Sequence, residues 1–103
     1  MPRAKGERRR QPRHAAETAW AHVHEHHPNC PPEIAERLVK LIAKRVWQPP
    51  VTLGQAFGIV ATTFVRHRLT DYDQLFEIKG LTREEARIIV APSLHAILEG
   101  WKR

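Results

Sequence analysis

Prolines cut this chain into short segments, and between the cuts the apolar residues recur at spacings of three and four. Pro28 biases His27 away from helical angles, Pro31-Pro32 open a new segment, and Pro49-Pro50 bar its continuation. After Pro31-Pro32-Glu33 the residues Ala35, Leu38, Val39, Ile42 and Val46 form one apolar stripe, which predicts a helix to about Val46. The segment before it runs from His14 to the His-rich end at His27. Thr52 caps the next helix, whose stripe is Leu53, Phe57, Val60, Ala61 and Phe64. Gly54 and Gly58, four apart, are expected to permit close packing there.

The last third carries the most explicit local grammar. Arg66-His67-Arg68 sit in a helix's final turn, where cations favour the negative end of the helix dipole. Thr70-Asp71-Tyr72-Asp73 reads as a capping box that starts a short helix ending near Lys79, with Gly80 as a left-handed terminator. Thr82-Arg83-Glu84-Glu85 is a second capping box. It opens a final helix with Ala86, Val90, Leu94, Ile97 and Trp101 inward, which Pro92 should kink or divide. No β-alternation and no internal repeat occur. The expected fold is all-α: a small compact domain of four to five helices with a helix-turn-helix-like C-terminal half.

Charge divides the chain differently. The net charge is +6. Arg3, Lys5, Arg8, Arg9, Arg10 and Arg13 face only Glu7 in the first fourteen residues, whereas eleven Lys/Arg meet ten Asp/Glu in the rest. Residues 1–13 therefore read as a disordered basic tail, and residues 14–103 as a single helical domain. Apolar residues make up 42% and charged residues 27%, a globular balance. The apolar runs are too short to span a bilayer, and no secretory signal pattern is present. One cysteine, Cys30, permits no internal disulfide and suits a reducing, cytoplasmic setting.

From about Pro28 to Trp101 the chain resembles the bacterial and fungal family called domain of unknown function 2293. The matching residues are Pro28-Asn29-Cys30-Pro31-Pro32, then Val65-Arg66-His67, Thr70-Asp71-Tyr72-Asp73-Gln74-Leu75, Gly80, Arg83, Ala86-Arg87 and Trp101. The resemblance implies one compact helical domain and carries no assigned activity. Relatives often read Ala-His-Val-Arg-His where this chain has Thr63-Phe64-Val65-Arg66-His67, so it implies no two-histidine chemistry at this position.

Four chemistries compete for these residues. His22 and His26 are four apart on a helix, with Cys30 a further four on, which makes them weak metal candidates; Pro28 intervenes and no second Cys/His pair completes a set of four. Cys30 and a distant His67 form no recognisable nucleophilic motif, and no phosphate-cradling glycine loop occurs, so neither enzyme nor cofactor is expected. Arg8, Arg9 and Arg10 in the tail, with Arg66, Arg68 and Arg83 at the junction, can meet phosphates, and Tyr72 is available to stack. The leading expectation is therefore a nucleic-acid-binding module assisted by its tail. The alternative is a protein–protein adaptor using Trp20 and Trp47. Against both stands a structural lock, in which Thr70 and Thr82 (with Glu85) cap, and Arg83 or Arg87 pairs with Asp71 or Asp73 across the turn.

Overall fold

The computed structural model describes residues 9–102, and these form five helices: α1 Ala16–His26, α2 Pro32–Lys44, α3 Leu53–Arg68, α4 Tyr72–Leu75 and α5 Arg83–Trp101. Helix α1 packs on α2, α2 on α3, and α5 on both α3 and α4. The only extended pairing among the described residues is an isolated antiparallel bridge between Gln11 and Val51. The architecture is all-α, as the proline punctuation and the three-four periodicity require.

Local chemistry accounts for most boundaries. Pro32 opens α2 at a position whose N–H has no helical partner anyway. Thr52 accepts from the Gln55 N–H while the Gln55 side chain accepts from the Thr52 N–H, a reciprocal capping box, and Thr82 with Glu85 repeats it at α5. Helix α4 ends at Leu75 rather than near Lys79, so Gly80, at φ +87°, is a left-handed turn residue beyond the helix and not its terminator. Helix α5 runs across Pro92 without being divided, so of the two expected outcomes, a kink or a division, the division does not occur. Pro92 and Ile88 both lie on the exposed face, so water reaches the backbone at the position whose helical bond the proline removes.

Two departures trace to tryptophan. Helix α2 stops at Lys44 rather than Val46, and Val46 is exposed. Trp47 takes the inward place instead, buried in the main core with Leu38, Ile42, Leu53 and Val65. Its indole N–H donates to the Ile42 carbonyl at 3.3 Å, and its backbone N–H donates to the Pro12 carbonyl at 2.7 Å. That second bond, with the Gln11–Val51 bridge, moves the start of the fold back from His14 to Gln11. His14 is itself buried, its Nε2 3.1 Å from the Val51 carbonyl. The expected tail thus joins the fold over its last residues; Arg9 and Arg10 are exposed, and Arg8 lies outside the described residues.

A second, smaller core of Tyr72, Ala86 and Val90, flanked by Leu75 and Leu81, joins α4 to α5. The connection between α1 and α2 is tied to the end of α5, where the Asn29 N–H donates to the Trp101 carbonyl at 2.9 Å.

Candidate functional site

The α3–α4 junction is organised by His67. Its Nδ1 lies 2.7 Å from Asp73 Oδ1, and its ring meets Tyr72 edge-on at 5.1 Å between centroids. Tyr72 in turn meets Phe76 edge-on at 4.8 Å and is only 2% exposed. The phenol ring is therefore part of the small core and offers no face to a base. The reason is the four-residue length of α4: so short a helix holds its place by burying its one aromatic anchor.

The expected Arg–Asp lock does not form. Asp73 is taken by His67, Asp71 is exposed, and Arg83 and Arg87 are exposed without an ion pair among the described residues. Arg83 instead stands over the Phe76 ring, 6.0 Å from its centroid. Thr70 is not a helix cap either. Its hydroxyl donates to the Arg66 carbonyl and accepts from the Tyr72 N–H at 3.2 Å, which joins the end of α3 to the start of α4. Asp71 precedes α4 without a side-chain capping bond. Arg66, expected with Arg68 to meet phosphates, is half-buried with its guanidinium carbon 5.7 Å from the Tyr72 centroid. Arg68 is exposed, 5.6 Å over Phe64.

That Arg68–Phe64 pair opens into a groove of about 470 Å³ between α2 and α3. The α2 wall carries Arg37, Lys40, Lys44 and Arg45 around Leu41. The α3 wall carries Ile59, Val60, Thr63 and Phe64, and His67 and Arg68 close its end. Arg37, Lys40, Lys44, Arg45 and Arg68 are all exposed. Among the described residues only Lys40 of these five is ion-paired, to Glu36 at 3.4 Å across one exposed turn. Such a pair is weak. Arg45 is steadied by stacking on Trp47, 3.9 Å from its ring. In the sequence, Arg37, Lys40, Lys44 and Arg45 lie off the stripe of Ala35, Leu38, Val39 and Ile42. Nothing local connected them to Arg68, more than twenty residues on.

A second groove, of about 610 Å³, gathers His22, His26, His27 and His95 around a floor that includes Gly54 and Gly58. The two glycines therefore line a surface rather than a tight helix contact: a Cβ on Gly58 would meet nothing within 4 Å. The His22 and His26 rings do adjoin, at 4.6 Å. His27 stacks on Phe57 at 4.1 Å, and burial, then the neighbouring His22, His26 and Lys102, lower its pKa from 6.5 to about 4. Cys30 stands apart from this set. It is buried in the main core with its thiol towards the Pro31 carbonyl, and burial pushes its pKa up to about 11. A thiol so held is a poor thiolate ligand and a poor nucleophile at neutral pH. Among the described residues no group of three or more His, Cys, Asp or Glu side chains is placed to hold a metal ion.

With this geometry in view, residues 22–102 match the family of uncharacterized conserved proteins DUF2293. The chain belongs to DUF2293. The match covers α2 to α5 and the C-terminal part of α1 from His22, and so contains both grooves and the His67 junction. No curated protein and no solved structure matches the chain. In this DUF2293 domain no described helix is long and apolar enough to cross a membrane.

Proposed function

We propose that this DUF2293 protein is a nucleic-acid-binding module, not an enzyme, and that it engages the phosphate backbone through the groove between α2 and α3. One observation carries the reading: Arg37, Lys40, Lys44, Arg45 and Arg68 converge on a single groove, and among the described residues only Lys40 of these has an acidic partner. Clustered unpaired cations release counterions when phosphates replace them, which is the main source of sequence-independent affinity. Arg8, Arg9 and Arg10 add charge from the leader, and Arg83 adds one exposed cation beside Phe76. Tyr72 and Arg66 drop out of the expected binding set, because one is core and the other is packed over it. A cytoplasmic setting belongs to the same proposal.

The test is an oligonucleotide titration of the full chain at several salt concentrations, against Lys44→Ala/Arg68→Ala. The phosphate role predicts a salt slope shallower by roughly one unit per lost contact. An unchanged slope in a folded variant would overturn it.

The adaptor reading no longer rests on Trp47, which is core, or on Trp20, which is half-buried and stacked on His24 at 5.3 Å. A different observation favours it: Ile88 is 71% exposed, with Ile89, Phe76 and Ile78 also exposed in the C-terminal half. Partner binding through these residues would persist at high salt and be lost in Ile88→Ser/Ile89→Ser.

A further inference from the structure

The two walls of the α2–α3 groove differ in kind. The α2 wall presents Arg37, Lys40 and Lys44, spaced over about 10 Å of helix at 1.5 Å per residue. The facing stretch of α3, from Ile59 to Phe64, carries no charged side chain. Ile59 and Leu41 stand exposed, and Phe64 is half-buried beneath Arg68.

A duplex is poorly matched to such a groove. It carries phosphates along both edges and keeps its bases stacked inside, so only the α2 wall would find a partner. The exposed apolar residues, Ile59 on α3 and Leu41 on α2, would face sugar, phosphate or water. A single strand has the groove's own asymmetry, with phosphates along one edge and unpaired base faces along the other. Resting on the nucleic-acid reading, we propose that the groove selects single strands, with phosphates along Arg37, Lys40 and Lys44 and bases seated on Ile59, Leu41 and Phe64. Arg68, already over the Phe64 ring, supplies a flat guanidinium on which the base nearest the end of α3 stacks. The aromatic ring and the planar cation favour a nucleobase over an acidic peptide, which has charge for the α2 wall but no flat group for this platform.

The experiment compares the full chain binding a 12-nucleotide pyrimidine strand, the same strand in a blunt duplex, inorganic polyphosphate and poly-glutamate of matched charge, all at one near-physiological salt concentration. The single strand is expected to bind at least ten-fold tighter than the duplex. Phe64→Ala should weaken the single strand about five-fold or more, the loss of one stacked base, while leaving the salt slope and polyphosphate binding unchanged. Because Phe64 packs partly against the core, Ile59→Ala/Leu41→Ala is the parallel variant, and it removes only exposed side chains. It should lower single-strand affinity and spare polyphosphate. Equal or tighter duplex binding would overturn the single-strand proposal while leaving nucleic-acid binding intact. So would an unchanged single-strand affinity in both variants. Poly-glutamate competing as well as the oligonucleotide would replace the nucleic acid with an acidic protein partner, and failure of every polyanion to bind would remove the parent reading as well.

Discussion

At His27 a single side chain couples folding to pH. The ring lies flat on Phe57, and burial, with His22, His26 and Lys102 nearby, holds its pKa near 4 against an ordinary 6.5. Between those values the unfolded chain takes up a proton that the folded chain refuses. Stability is therefore full above about pH 6.5 and is lost progressively as the pH falls towards 4. Melting curves from pH 7.5 to 4.5 should show Tm falling through this window, and His27→Gln should flatten the fall. An identical slope in the variant would place the titration elsewhere. The same arithmetic of burial acts in the opposite direction on Cys30, whose thiol keeps its proton.

At the scale of the element, two threonines with the same sequence context do different work. Thr82 accepts from the Glu85 N–H and caps α5. Thr70 both donates to the Arg66 carbonyl and accepts from the Tyr72 N–H, so it is a splice between α3 and α4. Replacing either with alanine should cost about 1 kcal/mol in chemical denaturation. The distinction lies in the rescue. Thr82→Asp should be nearly neutral, because an N-cap needs only an acceptor. Thr70→Asp should stay destabilised, because an ionised carboxylate cannot donate to a carbonyl, and Thr70→Ser should recover. Equal rescue by Asp at both sites would return Thr70 to an ordinary cap. His67–Asp73 supplies the other half of the splice, and together with the buried Tyr72 it positions a helix that four residues could not stabilise alone.

Over the whole molecule, the N-terminal strand-like segment closes the core. Pro12 accepts from the buried Trp47 N–H, and Gln11 pairs in both directions with Val51, at 2.8 and 3.2 Å. A chain beginning at His14 would leave the Trp47 donor without this partner, a loss of about 1–3 kcal/mol. Its Tm should fall by about 4 °C or more relative to the full chain. An unchanged Tm would show that the Trp47 backbone finds another acceptor. Much of this fold was legible in the residues: Pro28, Pro31-Pro32 and Pro49-Pro50 mark the breaks, Thr52 and Thr82 the starts, and the Leu38–Ile42 and Phe57–Ala61 stripes the buried faces. Each of these depends on groups within about four residues of one another, and that is the range over which backbone bonding and helical periodicity are decided. The site was legible only in pieces. Arg68 and the α2 cations were each visible, but their meeting depends on how α2 and α3 pack. So does the choice of His67 rather than an arginine as partner of Asp73, and the turning of Tyr72 and Trp47 inward. The sequence by itself determined which segments are helical and which face of each is apolar, because those follow from local sterics and spacing. The tertiary structure alone decided which charges share a groove, which aromatics are core and where the fold begins, because those depend on burial and pairing between residues far apart in the chain.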